Sequence, residues 1–371
     1  MPELEKTVLE GSSHDRGLIH GEKHADGIRN NVDFYYEYFG EHGLSDDASR
    51  DIAKDVIRLI EEKNPEYLSE MCGVADGSGI PIEEVAMVNF RHTIIFSAYG
   101  AEISGSNDVD FDSQSRFAEG CTSIGVQPER TLNGHTFIGQ NWDWKPPVDI
   151  FLMEVRREDE PNFLALTESG NVCGKFGFNE SGIGFAVNGL STPEDGRDPT
   201  RKPSHVRGRE ILDSDRLDQA FEAVISTPRP TSRNYMIAHA NGELIDIETT
   251  PDSFDFLYPE QHVITHANHF EKRCGIKSQL EQQLPHSIVR GMRARRLFDQ
   301  ANDSITFDVI KSILRDDFGK PRSIARHAIE NNGIEESHTK ASIIMNLNEQ
   351  KLLATYGPPD INEYHTYELS S

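Results

Sequence analysis

Gly120-Cys-Thr-Ser-Ile-Gly-Val126, a turn at Asn133-Gly134, and His135-Thr-Phe-Ile-Gly-Gln-Asn-Trp-Asp-Trp144 form the stretch whose reading decides the fold. Runs rich in Ile, Val, Thr, Phe and Trp on either side of an Asn-Gly pair predict a β-hairpin. Folding back about Asn133-Gly134 brings Asp143 near the Cys121 end, with the register open by a residue or two. Just upstream, residues 101–119 turn polar, with Gly-Ser-Asn-Asp-Val-Asp-Phe-Asp-Ser-Gln-Ser at their centre. That composition predicts an exposed loop, where chains tolerate cutting.

Further upstream, residues 13–70 read as helical. Apolar positions recur at helical spacing through Ile28, Val32, Tyr35, Tyr36 and Phe39, and again through Ile52, Val56 and Ile60. Pro81 ahead of Glu83-Glu84 marks another helix start. Downstream, strands are predicted at Phe163–Thr167, Cys173–Asn179, Gly184–Asn188, Tyr235–Ala240, Glu243–Glu248 and Val263–His266, with a late pair at Ala341–Asn346 and Lys351–Tyr356. Helices return at Asp213–Ser226, Ser287–Asn302 and Asp308–Asp317. Hairpins with helices before and between them indicate an α+β chain, its sheets layered with helices rather than built from βαβ units.

The 371 residues, 36% hydrophobic, suffice for a substantial core in one large domain or two ordinary ones. No apolar run reaches the roughly 18 residues of a membrane-spanning helix. Met1-Pro-Glu-Leu-Glu-Lys carries no secretory signal, so a cytoplasmic protein is the expectation. A net charge of −25 repels nucleic acid and anionic membranes. The four cysteines, Cys72, Cys121, Cys173 and Cys274, lie far apart without a CxxC pair, against a zinc knuckle or a disulfide framework.

Cys121 is the cysteine whose setting suggests chemistry. A nucleophilic cysteine needs its thiolate and a nearby proton acceptor. Gly120 leaves its carbonyl open to the Cys121 thiol, so an acyl shift from nitrogen to sulfur followed by hydrolysis would free a cysteine with its own α-amine. That amine, with a reference pKa of about 7.7–8.0, accepts the thiol proton near neutrality. Asp143 would hold it through charge-assisted hydrogen bonds. A buried cysteine that merely begins a strand is the plainer explanation of Cys121, and a turn aspartate that of Asp143.

Gly120-Cys-Thr-Ser, Asn133-Gly and Gly139-Gln-Asn-Trp-Asp143 together resemble the processing site and first hairpin of the isopenicillin N acyltransferase family, among the N-terminal-nucleophile (Ntn) hydrolases. His14-Asp-Arg-Gly-Leu-Ile-His-Gly21, Gly177-Phe-Asn-Glu-Ser-Gly-Ile-Gly-Phe-Ala-Val-Asn-Gly189, Thr265-His-Ala-Asn-His-Phe270, Ser323-Ile-Ala-Arg-His327 and Tyr356-Gly-Pro-Pro359 resemble further family segments. The fourth has alanine where cysteine is frequent. The resemblance spans essentially the whole chain.

It implies a four-layer αββα sandwich. It also implies a zymogen that cuts itself into fragments 1–120 and 121–371, which stay together as one structural domain. The implied substrate is a small N-acyl amide or acyl thioester, attacked to form a thioester on Cys121, with no cofactor and no metal; coenzyme A thioesters are candidate donors. Conjugated bile salt hydrolases share the scaffold and imply further roles. Asp143 orients the α-amine, the Asn268 side chain and the Asn188 backbone N–H serve the oxyanion, and Arg290 stands near the nucleophile. Those hydrolases have arginine where this chain has Gln140, a departure that favours the acyltransferase branch. Ser287 lies where that branch has a serine linked to acyl binding, although a helix N-cap explains it equally.

Other readings stay open. His266 and His269 could serve a metal-dependent hydrolase, but residues three apart on a strand converge poorly; holding the Asn268 loop is the alternative. Arg290, Arg293, Arg295 and Arg296 form a basic cluster that either pairs with acidic surface or meets an anionic substrate group. Arg91, in Asn89-Phe-Arg91, and Asn141 are candidate pocket residues or structural ones. A non-catalytic binding protein on the same fold and self-association also remain.

Overall fold

The Cys121 hairpin forms, and the two main sheets of the protein are arranged around it. The structure, a computed structural model, describes residues 3–105, 120–272, 284–301, 304–331, 334–335 and 337–370. Cys274 and residues 106–119 of the polar stretch lie outside the described residues.

The smaller main sheet contains β2 (Thr122–Val126), β3 (Phe137–Trp144), β11 (Val263–His266), β14 (His338–Asn346), β15 (Lys351–Tyr356) and β16 (His365–Glu368), ordered β11-β2-β3-β14-β15-β16. The larger sheet runs β1-β4-β5-β6-β7-β8-β9-β10. Its strands are β1 (Lys6–Leu9), β4 (Ile150–Val155), β5 (Phe163–Glu168), β6 (Phe176–Asn179), β7 (Ile183–Gly189), β8 (Arg233–His239), β9 (Leu244–Thr249) and β10 (Phe254–Leu257). A third, two-stranded sheet pairs β12 (Glu330–Asn331) with β13 (Ile334–Glu335), and pairing is antiparallel throughout except where β1 lies parallel to β4. The hairpin register sets Thr122 opposite Asn141 and Val126 opposite Phe137.

Alternation along β3 divides the molecule. Ile138 and Trp142 join the core shared with the larger sheet, whereas Phe137 packs with Phe298, Ile310 and Leu314. Those last residues belong to α9 (His286–Gln300) and α10 (Phe307–Leu314), which cover the outer face of the smaller sheet. Helices α7 (Ser204–Asp213) and α8 (Leu217–Ile225) pack on β6, β7 and β8 of the larger one. Helix, sheet, sheet, helix is the αββα order. Full burial of a side chain such as Phe137 contributes about 1.5–3 kcal/mol.

The N-terminal region supplies α1 (Ser13–Lys23), α2 (Ala25–Glu41), α3 (Asp46–Lys63), α4 (Pro65–Ser78), α5 (Ile82–Asn89) and α6 (Arg91–Gly105). Gly17 shows why α1 is glycine-punctuated: a Cβ there would lie 1.9 Å from the Glu70 carbonyl oxygen of α4. The helices dock on the β4–β5 corner. Asn31 donates to the Asp149 and Ser169 carbonyls, Tyr35 to Glu168, and Asn89 to the Gly170 carbonyl. No helix among the described residues is long and apolar enough to cross a membrane.

Some expectations need correction. The helix expected over Asp213–Ser226 is two helices, α7 ending at Asp213 and α8 beginning at Leu217. Helix α7 carries no visible apolar stripe because Arg207 and Arg209 are themselves buried. Strand β4 escaped notice because every residue of Ile-Phe-Leu-Met-Glu-Val is buried, which erases alternation. The strand placed at Cys173 starts only at Phe176, and residues 101–105 of the supposed loop complete α6.

Candidate active site

Cys121 lies fully buried one residue before β2, and its Sγ stands 4.0 Å from the Asp143 carbonyl oxygen. The strand register therefore brings together the two residues first paired from sequence. Alternation turns the Asp143 side chain toward the face that also bears Asn141. Its Oδ1 accepts a hydrogen bond from Thr339 Oγ1 at 2.7 Å. Its Oδ2 is buried and has no hydrogen-bond partner among the described residues.

That oxygen lies against Gly120. A Cβ built on Gly120 would sit 2.8 Å from Asp143 Oδ2 and 2.2 Å from Arg326 Nη1. Close approach of a carboxylate and a guanidinium thus explains the glycine. Burial pushes the Asp143 carboxyl up to about 7, against the opposing pull of Arg326, Arg290 and the Thr339 hydrogen bond. A carboxyl titrating near neutrality, with an open lone pair beside the Gly120–Cys121 bond, can take up a thiol proton or seat an ammonium.

Arg290 reaches in from α9. Its Nη1 donates to the Cys121 carbonyl oxygen and to Thr122 Oγ1 (2.8 Å), and its Nη2 donates to Asn268 Oδ1 (2.8 Å). One buried guanidinium therefore ties the start of β2 to the Asn268 loop. Burial lowers its pKa to about 10, well above neutrality, with Arg326 adding to that pull and Asp143 opposing it.

Strand β11 positions Asn268: His266 pairs with Ser123, so the chain two residues on comes level with Cys121. The Asn268 side-chain amide donates to the Gly189 carbonyl at 3.0 Å, and its backbone N–H donates to Ser287 Oγ at 2.8 Å. The Asn188 backbone N–H, expected to face an oxyanion, donates instead to Asn234 Oδ1 at 3.0 Å. Strand β7 thus presents Asn188 to its neighbour β8 in this arrangement.

The remaining candidates sort by contacts. Ser287 is not the N-cap of α9, a place held by Pro285; its Oγ holds Asn268 and bonds His269 Nδ1 at 2.9 Å. Asn141 donates to the Leu314 and Ile324 carbonyls, both at 2.8 Å, which makes it a clamp between β3 and the α10 end rather than a pocket residue. Arg91 pairs with Glu168 and with His205 Nε2 (2.8 Å) under the Tyr35 and Trp144 rings. His205 and Trp142 line a cavity of about 20 Å³, room for about one water; Arg91 bonds the lining His205 and does not line it itself.

The histidine pair is engaged elsewhere. His266 Nε2 lies 2.9 Å from Glu248 Oε1, and His269 Nε2 lies 3.0 Å from Glu271 Oε1. Burial opposes the His266 charge, but Asp246 and Glu248 outweigh it and raise the imidazole pKa to about 9. Glu248 also accepts the Glu271 and Lys272 N–H groups, so this ion pair fastens the segment after Asn268. No set of three or more His, Cys, Asp or Glu side chains among the described residues could hold a metal ion.

Sequence reasoning missed Arg326 and Thr339, which meet at the Asp143 carboxyl. Thr339 Oγ1 accepts from the Arg326 N–H at 2.9 Å. The Ser323–His327 motif was the available signal, but nothing in it announces that the chain returns to Gly120.

The chain matches the family described as acyl-coenzyme A:6-aminopenicillanic acid acyl-transferase over residues 130–360. It is 24% identical over 346 residues to the acyl-coenzyme A:6-aminopenicillanic-acid-acyltransferase 40 kDa form of Emericella nidulans, covering 92% of this chain and 88% of that one. Among solved structures, a conjugated bile acid hydrolase variant from Clostridium perfringens superposes with TM-score 0.47 at 14% identity, over 67% of this chain and 97% of that chain. The Caenorhabditis elegans ortholog of N-acylethanolamine-hydrolyzing acid amidase gives TM-score 0.46 at 13% identity, over 62% and 93%.

Proposed function

Because the chain belongs to the acyl-coenzyme A:6-aminopenicillanic acid acyl-transferase family, we propose that it transfers or hydrolyses acyl groups at linear amides or thioesters through a Cys121 thioester. The observation that carries this reading is the buried Asp143 Oδ2, which has no hydrogen-bond partner among the described residues and lies against Gly120. The matched family span begins after Cys121, so the nucleophile rests on its surroundings in this chain.

In the first step the Cys121 thiol gives its proton to Asp143 and Sγ attacks the Gly120 carbonyl. The peptide nitrogen departs with a proton, and water then hydrolyses the Gly120 thioester. The freed α-amine takes the seat beside Asp143 Oδ2, where the charge it gains with the thiol proton offsets the cost of an isolated buried carboxylate. In turnover the α-amine receives the thiol proton, Sγ attacks the substrate carbonyl, and the amine or thiol leaves protonated. Water or an acceptor amine then resolves the thioester. Arg290 holds the nucleophile strand against the Asn268 loop, and a small shift of Asn268 from the Gly189 carbonyl would present its amide to the oxyanion.

Fragment 1–120 remains bound in this proposal, since Asn31, Tyr35 and Asn89 bond to residues beyond the cut. A cytoplasmic setting is part of the same reading. Denaturing electrophoresis tests the proposal: the purified chain runs as fragments 1–120 and 121–371, and Cys121→Ala runs as one band without activity toward N-acyl amides. An uncut active chain, or an active Cys121→Ala variant, would falsify it.

A further inference from the structure

We infer that Gln140 is a positioning residue that locks the Asn188 edge of the larger sheet to the nucleophile strand, an inference that rests on the Cys121 reading above. Gln140 and Ser123 are register partners on β3 and β2, and both reach across the gap between the sheets. The Gln140 amide pairs with a peptide group of β7 much as a strand would. Its Oε1 accepts the Val187 N–H at 3.1 Å, while its Nε2 donates to the Val187 carbonyl and, at 2.9 Å, to Asn188 Oδ1. Asn188 continues the chain of bonds, donating from Nδ2 to Ser123 Oγ at 2.9 Å and to the His266 carbonyl at 3.2 Å.

Both amide protons of Gln140 and of Asn188 are therefore committed to protein groups. Neither side chain is left to grip a substrate. What the pair does is join β2, β3, β7 and β11 at one buried point, within two residues of Cys121, Gly189 and Asn268. Gly189 supplies the carbonyl that holds the Asn268 amide. The separation between the attacking sulfur and the groups that meet the reacting carbonyl is consequently fixed by this clasp. Amide-to-peptide pairing suits that task because its planar, bidentate geometry defines both distance and orientation.

Two variants of the full chain test it. Gln140→Met keeps the volume and removes the Gln140 hydrogen bonds; Ser123→Ala removes only the bond from Asn188. Cleavage is read by denaturing electrophoresis, folding by thermal midpoint, and kcat and KM on an N-acyl 4-nitroanilide, normalised to titrated Cys121 thiol. Gln140→Met should be cleaved yet lose about 100-fold in kcat per thiol, the scale of a misplacement near 1 Å, with KM changed by less than about three-fold. Ser123→Ala should show the same split with about a ten-fold loss, since one hydrogen bond goes rather than several. If Gln140→Met does not fold, Ser123→Ala decides. A folded variant whose kcat per thiol stays within two-fold of the parent, or whose loss lies wholly in KM, overturns the inference. A parent chain without thiol-dependent turnover overturns it together with the Cys121 reading, whereas a normal parent beside normal variants overturns the clasp alone.

Discussion

The Asp143 carboxylate lies against Gly120, so close that a single added methyl on Gly120 would stand 2.8 Å from Oδ2. Packing, charge and chemistry converge at this contact. It places an acceptor that has no partner among the described residues beside the bond proposed to be cut, and it leaves no room for a side chain on Gly120.

Gly120→Ala should therefore slow self-cleavage by at least about ten-fold, because the Cβ displaces either the Asp143 carboxylate or the Arg326 guanidinium and a small misplacement of a catalytic group is costly. The rate is read from the disappearance of the full-length band after synthesis. Cleavage as fast as in the parent rejects the steric argument.

Asp143 also makes stability depend on pH. Its carboxyl titrates near 7 in the folded chain against an ordinary 3.8. The folded state therefore holds a proton that the unfolded state releases. The stabilisation from that proton is fully present below about pH 4 and is lost as pH rises through about 7. In the uncleaved Cys121→Ala chain, adding Asp143→Asn should remove this fall, a relative gain on the order of 4 kcal/mol by about pH 8. Calorimetry of both chains across that range checks it; parallel curves contradict it.

Asn268→Ala should leave cleaved protein whose kcat is lower by about 100-fold, the usual effect of deleting one oxyanion donor. Ser287→Ala, which acts through the Asn268 backbone and His269, should cost less. Steady-state rates normalised to titrated thiol distinguish the two, and an Asn268→Ala rate equal to the parent's removes the side chain from the mechanism.

Glu70 joins the two proposed fragments by receiving Arg16 and Arg209, both at 3.2 Å, at a buried point. Glu70→Ala takes the carboxylate from Arg16 and leaves Arg209 with Asp213 alone, and should destabilise the protein by about 3 kcal/mol. A lower thermal midpoint is expected, and cleaved material should release fragment 1–120 more readily on gel filtration. An unchanged midpoint would show that these bonds contribute nothing net.

Thiol alkylation should abolish turnover while a chelator leaves it intact. Loss of activity in chelator, restored by a divalent metal, would revive the histidine-based reading against the engagement of His266 by Glu248 and of His269 by Glu271.

Much of the site was legible because it is local in sequence. Cys121 and Asp143 belong to one hairpin, so a turn signal and strand alternation suffice to bring them together. Asn268 and Arg290 were named through family resemblance, and the structure joins them by a direct hydrogen bond. The roles assigned to Asn141 and Arg91 did not carry over, because buried amide and guanidinium groups that clamp backbone or carboxylate look, in sequence, like groups that bind ligands.

The sequence by itself determined the α+β layering and the hairpin that brings Cys121 and Asp143 together, since hydrophobic period and turn chemistry act over a few residues. Only the tertiary structure decided that Arg326 returns to Gly120 and Thr339 to Asp143, that Asn188 gives its N–H to Asn234, and that Gln140 bolts one sheet to the other. Those relations join residues far apart in the chain, and hydrogen bonds between buried polar groups leave no periodic trace. They follow from how the two sheets meet, which is set by the packing of the whole core.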